Sequence, residues 1–320
     1  MTRLLLVPFQ LAAAQGRWLL VAGLVAAIAF PGLAVLVREQ LPAAVALLLF
    51  FSALRVGPRQ AVGAARDIGQ SFTLVLILQV LCPVVFAVML MVTGWSGPIA
   101  LGLALMLTAA PIAGSPSLTF LLGRDAAPAL RLLIAGTALL PLTSIPVFWL
   151  LPDLVTGEGV FGAALRLLLL IGLAASLAFL IRGFLIKDPG PEGLSAFEGM
   201  AAVMMAIVVV GLMAAIRPAI TENPMGLLIN LAAVFAANFG LQIVAYLLLK
   251  KPMPEQSAGI AVSAGNRNIA LFLVALPEAT TAPLLIFIGC YQIPMFLTPL
   301  VMGRLYRPGT GEDEGASRNA

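Results

Sequence analysis

Two apolar stretches of this chain are broken where a membrane helix would lie deepest. One carries Pro111-Ile112-Ala113-Gly114-Ser115-Pro116-Ser117, the other Ser263-Ala264-Gly265-Asn266-Arg267-Asn268. A backbone unwound in hydrocarbon is tolerated only where protein or a wet cavity takes up its free N–H and C=O groups. Broken apolar segments in corresponding positions of two halves are the best sequence pointer to a transporter's binding site. Arg267 adds to this, because a cation at that depth is costly and marks a functional site by default.

The surrounding composition makes the membrane reading firm. Hydrophobic residues make up 61% of the 320-residue chain, charged residues 10%, and mean hydropathy is +1.08, whereas a soluble domain is about 25% charged. The net charge of +4 comes from basic residues in short loops, not from a patch interleaved with aromatics, so no nucleic-acid partner is expected. There is no histidine, and the two cysteines, Cys82 and Cys290, both lie in apolar runs. No disulfide framework, metal site, catalytic Cys–acid pair or phosphate-binding loop can be built, so the chain does not read as an enzyme and needs no cofactor. The start, 1–17, is too broken by Pro8 and Gln10 for a cleaved signal peptide. It is expected as an interfacial segment.

Spans of about 20 apolar residues are expected over 18–37, 42–54, 72–92, 98–123, 128–151, 160–186, 197–216, 225–249, 255–276 and 282–302. The polar tail, 304–320, is expected to be disordered. Fourteen of the eighteen Lys and Arg residues fall on one side, among them Arg55, Arg59, Arg124, Lys187, Lys250 and Arg304. Arg38, Arg166 and Arg217 fall on the other. Basic residues mark the cytoplasmic side, which puts both termini in the cytoplasm of a bacterial-type inner membrane. Five spans per half is an odd number, so the second half enters inverted. The broken span is the fourth of each half, and a glutamine, Gln79 or Gln242, sits in the third. The fold class expected is therefore all-α and polytopic: ten helices as two inverted five-helix repeats.

At the first break, two prolines, a glycine and the hydroxyls of Ser115, Ser117 and Thr119 fall within nine residues. The bland reading is a proline-kinked helix whose hydroxyls bond back to their own backbone. The sharper reading is an unwound segment offering them to a ligand. At the second break, Asn266, Arg267 and Asn268 supply two amides and a guanidinium about 15 Å from either end of the span. Arg267 reads either as a structural group bonded to carbonyls freed by unwinding, or as a cation facing a cavity that takes a carboxylate or phosphate. No Asp or Glu lies mid-span, which argues against proton coupling through a buried carboxylate.

These motifs resemble the bile acid:sodium symporter family and the wider superfamily that includes the arsenite permeases, over about residues 18–303. The 47–59 stretch resembles the family's second span and its basic exit. Gln79 with Cys82-Pro83 resembles its third span, whose glutamine is a sodium ligand. Ala110-Pro111 through Leu121-Leu122-Gly123-Arg124-Asp125 and Gly265-Asn266-Arg267-Asn268-Ile269-Ala270-Leu271 resemble its two crossing motifs. The resemblance implies core helices in 69–152 and 218–303, panel helices in 18–68 and 153–217, and broken fourth and ninth spans that cross. Substrate would bind between core and panel and move by their rocking. The family's sodium-site glutamate falls on Ser263 and its ninth-span glutamine on Arg267, so the usual two sodium sites are not expected. Gln79, Thr137 and Ser263 are what remains for a residual cation site. Arg267 is expected to stand in the space of a sodium ion. The expected function is alternating-access transport of a small organic anion, with lipid as the other partner and Ser115, Ser117, Thr119, Asn266, Arg267 and Asn268 as substrate-binding residues. The rival is a membrane receptor of the same fold that binds without transporting.

Overall fold

A computed structural model describes residues 2–66, 68–157 and 159–306; the tail expected to be disordered lies, beyond Tyr306, outside the described residues. Helices α1 (Thr2–Ala14), α2 (Gly16–Ala29) and α3 (Pro31–Glu39) follow one another closely. α2 stops at Phe30, which precedes a proline and leaves the helical region (φ −122°, ψ 78°), and Pro31 restarts the helix as α3. α4 (Leu41–Arg66) kinks at Gly57, whose φ of +70° is open to glycine and is followed by Pro58. α5 (Ile68–Leu76) passes through one π turn, Ile77–Leu81, into α6 (Cys82–Thr93), which ends on left-handed Gly94.

After α6 come α7 (Pro98–Thr108), α8 (Ser115–Leu121), α9 (Ala127–Thr143), α10 (Ile145–Leu150), α11 (Gly159–Leu180) and α12 (Gly190–Met213). α13 (Ile216–Glu222) leads to α14 (Pro224–Leu249), which starts on Asn223: its side chain accepts from Gly226 N at 2.9 Å, with proline at the first helical position. α15 (Ser257–Gly265), α16 (Phe272–Ala275), α17 (Glu278–Thr281) and α18 (Leu285–Met302) complete the chain.

The described residues are almost wholly helical and form no strand. Among the described residues seven helices are long and apolar enough to cross a membrane: Leu41–Gly63, Gly69–Thr93, Ala127–Leu150, Gly159–Leu185, Gly190–Glu222, Pro224–Leu249 and Glu278–Met302. The other three stretches expected to span are discontinuous. They are α2 with α3, α7 with α8, and α15 with α16. The second expected span, 42–54, is longer in the structure, because α4 continues past Arg55 through a partly exposed stretch that carries Arg59.

The helices pack as two sets that also meet each other, α11 against α9 and α16 and α12 against α18. α12 lies along α1, α2, α3 and α4, and α11 lies along α4. In the other group α14 packs on α15 and α18, α9 packs on α5, α8 and α15, and α7 packs on α6 and α18. A shared apolar interior, including Leu105, Phe148, Phe272 and Phe287, runs between them. Phe148 meets Phe272 edge-on at 5.9 Å.

Small residues set some of these distances. A methyl group on Gly199 of α12 would collide with the Phe9 carbonyl of α1, whereas one on Gly240 of α14 would meet open space. Gly199→Ala is therefore expected to lower the melting temperature measurably. Gly240→Ala should leave it unchanged or raise it, since alanine favours helix by ~1 kcal/mol over glycine. Equal melting of the two variants would show that α1 is not held this closely.

Candidate functional site

α7 ends at Thr108 and α15 at Gly265, and the two extended segments that follow cross. Pro111 and Arg267 sit opposite each other as an isolated antiparallel bridge. Ile112 N donates to Asn266 O (3.0 Å) and Asn268 N donates to Ala110 O (2.7 Å). Each break thus supplies the partners that the other lacks, as backbone in hydrocarbon requires.

The remaining freed carbonyls converge on Arg267. In an unbroken helix Ala264 O would accept from Asn268 N, which bonds Ala110 O instead. Arg267 Nε donates to Ala264 O at 2.8 Å. Ala109 O accepts from Arg267 Nη1 (2.9 Å) and from Gln79 Nε2 (3.4 Å). The third carbonyl comes from the π turn. There Cys82 N bonds Ile77 O, five residues back. The same register sets Pro83, which has no N–H, against Leu78. Leu78 O is left open, and Arg267 Nη2 donates to it at 3.4 Å. The guanidinium is therefore bound by carbonyls from three segments, and the residue is 1% exposed.

A second buried network fixes the far side of the crossing. Gly265 O accepts from Asn238 Nδ2 (2.6 Å) and from the Tyr291 hydroxyl, which in turn accepts from Arg267 N at 3.0 Å. Asn238 Nδ2 also reaches Asn266 Oδ1 (3.2 Å), and Asn266 Nδ2 donates to Val262 O (2.8 Å). Gln242 Nε2 donates to Asn238 Oδ1 (2.7 Å), and Gln242 Oε1 accepts from the Tyr306 hydroxyl (3.1 Å). Burial raises the Tyr306 phenol's pKa, so it remains a donor at neutral pH. Tyr291→Phe is expected to leave Arg267 N unpaired and to cost about 1–3 kcal/mol. A melting temperature equal to wild type would remove Tyr291 from the crossing.

The sequence-derived residues part company here. Arg267 and Asn268 line a small cavity together with Ile112, Ile269, Ala270, Gln292 and Met295, and with Leu48 of α4 and Met205 and Val208 of α12. It has room for about one water molecule. Ser115, Ser117, Thr119 and Asn266 do not line it. Ser115 Oγ is buried without a hydrogen-bond partner. Thr119 Oγ1 bonds back to Ser115 O (2.8 Å), the bland reading of that hydroxyl. Ser117 Oγ donates to Glu198 Oε1 of α12 (2.9 Å), which also pairs with Arg55 at 3.2 Å.

Gln79, Thr137 and Ser263 do not share a hydrogen bond. Ser263 Oγ bonds its own helix at Gly259 O (2.9 Å). Gln79 lies against Gly136, where a methyl group would come within 2.7 Å of its Nε2. Thr137 is half-buried beside that glycine. The groups reaching towards a cation's position are instead three carbonyls, and all three hold Arg267. Among the described residues no cluster of three or more His, Cys, Asp or Glu could hold a metal ion.

Sequence reasoning passed over Tyr291, Gln292 and Thr298 in the tenth expected span. Their signal was available: three polar side chains at 291, 292 and 298 in an otherwise apolar run. Gln292 is 5% exposed, its Nε2 donates to Ile288 O (3.3 Å), and its Oε1 has no partner.

No protein-family model matches the chain, and no curated protein matches it.

Proposed function

We propose that this multi-pass membrane protein is a secondary transporter for a small organic anion, built on the ten-span inverted-repeat architecture of the bile acid:sodium symporter family. The observation that carries the reading is Arg267, buried at the crossing of two broken segments beside a cavity between two helix groups. A guanidinium has five N–H donors. Nε, Nη1 and Nη2 each make one bond, to Ala264 O, Ala109 O and Leu78 O, which leaves two N–H groups for a ligand. Among the described residues no carboxylate pairs with it. A buried cation without a counter-ion favours an anion that can enter its cavity. The surrounding wall is apolar apart from Asn268 and Gln292, which suits an anion with an apolar body.

The helix groups supply the moving parts. α2, α3, α4, α11 and α12 would form the panel and the remaining long helices the core, with the cavity opening when they part. The crossing itself is fastened by backbone bonds and by Arg267, so it would move as a unit. The membrane would be a bacterial-type inner membrane with both termini cytoplasmic, as the Lys and Arg distribution sets. The residues proposed for the anion are Arg267, Asn268 and Gln292.

The test is thermal stabilisation of detergent-purified protein by pyruvate, taurocholate and pantothenate, each in sodium and in potassium. Binding to the native state stabilises it by an amount set by ligand concentration over Kd. Stabilisation by one of these anions, equal in the two salts and lost in Arg267→Lys, supports an anion site on the guanidinium. Stabilisation by sodium alone would show that a cation site persists and that the reading of Arg267 is wrong. Saturable binding without flux in proteoliposomes would make the protein a receptor.

A further inference from the structure

The carbonyl cage around Arg267 also bears on what drives transport and in which direction. This rests on the anion-transport reading above. A coupled carrier must bind its driving ion on one side and release it on the other. At this crossing the cation is covalently part of the chain. Its Nε, Nη1 and Nη2 are each bonded to a different backbone carbonyl, and its own N–H is bonded to Tyr291. It neither dissociates nor leaves those oxygens free for a second cation. Ser263 is turned to its own helix.

Protons fare no better. Among the described residues the side chains that touch Arg267 or line the cavity include no Asp, Glu or Lys, and the sequence has no histidine. The carboxylate that touches a break is Glu198. Its side chain is 42% exposed and held by Arg55 and Ser117, and it belongs to α12, which packs on both sets of helices.

We infer that the protein is an uncoupled, electrogenic carrier, and that its working direction is export. With a fixed cation and no exchangeable ion, each cycle moves the anion's own charge and nothing else. The only free energy available is then the anion's electrochemical gradient. A cell interior is negative, so a monovalent anion is driven outward. At 100 mV the bias is about 50-fold, the equivalent of ~2.3 kcal/mol per charge. This conclusion does not depend on which way the chain is inserted, because an uncoupled carrier equilibrates its substrate from either side.

The experiment uses the full chain in proteoliposomes with a potassium diffusion potential set by valinomycin. Labelled pyruvate, taurocholate and pantothenate are taken one at a time, and protein-free liposomes are subtracted. The expected result is accumulation of a monovalent anion in vesicles made positive inside, approaching about 50-fold at 100 mV, and its expulsion from vesicles made negative inside. Sodium and pH gradients without a potential should produce no accumulation. Accumulation driven by a sodium gradient, or by a pH gradient and abolished in Glu198→Gln, would overturn uncoupled export while leaving anion transport intact. Flux that ignores the potential would also overturn it. Absence of flux for every anion under every gradient would remove the transport reading and this inference with it.

Discussion

Arg267→Gln is expected to melt ~4–12 °C below wild type, and to recover part of that loss in sodium but not in potassium. The guanidinium holds Ala264 O, Ala109 O and Leu78 O. Ala109 O keeps a second donor in Gln79, so the substitution strands the other two. A buried carbonyl without a partner costs about 1–3 kcal/mol, which puts the loss at about 2–6 kcal/mol. The opposing term is relief of a buried charge. In this site that relief is small, because the charge already has three carbonyl dipoles around it. Glutamine is shorter and can satisfy at most part of the set. A shift of ~2 °C per kcal/mol for a chain of this size gives the range above. The vacated carbonyls would then form a cage of oxygens of the kind that replaces an alkali ion's hydration shell, which is why sodium should restore stability to the variant and not to wild type. Melting within about 1 °C of wild type would show that Arg267 does not fasten the crossing. A variant indifferent to sodium would remove the idea that its side chain stands in for an ion.

Gly265→Ala is the second large effect expected, a loss of about 2–6 kcal/mol. A methyl group there would run into the Asn238 carbonyl oxygen and the Gln242 side chain. The oxygen belongs to the backbone of α14, so the whole helix must withdraw. Withdrawal would also stretch the 2.6 Å bond from Asn238 Nδ2 to Gly265 O and loosen the Gln242 contacts behind it. Overpacking of this kind costs about 1–3 kcal/mol, and a stranded carbonyl adds a similar amount. Gly114→Ala is the control. Gly114 lies in the other break with φ −79°, and its methyl group would meet only Ile112 Cδ1 at an ordinary 3.6 Å. It should melt within about 1 °C of wild type. Comparable losses in both variants would mean that the two breaks are equally tight, contrary to these distances.

The pair also shows where sequence reasoning misassigns a cause. A glycine beside a break invites the expectation that it permits unwinding, yet Gly265 is the last residue of α15 and has no positive φ. What it permits is contact between two helices, a distance that no local pattern encodes. The hydroxyls of the first break are a similar case. Ser115, Ser117 and Thr119 read as one group because they are adjacent in sequence. The fold sends them to three fates: a buried hydroxyl with no partner, a bond to Glu198 eighty-one positions away, and a bond back one turn.

The sequence by itself determined the class of molecule and the depth of its weak points. Apolar runs of membrane length force helices, because lipid offers the backbone no other partner. Two prolines and a glycine break one of those runs, and a mid-span arginine between two asparagines marks the other. Only the tertiary structure decided what each break bonds to. Leu78, Ala109 and Ala264 are carbonyls of apolar residues and carry no signature as ligands. They become the guanidinium's partners because a π turn, a terminated helix and a second terminated helix meet at one point. Gln292 likewise enters the cavity wall only because α18 passes the crossing. Hydrogen-bond satisfaction in a low-dielectric interior is a non-local condition: sequence shows which groups will need partners, and the fold alone selects them.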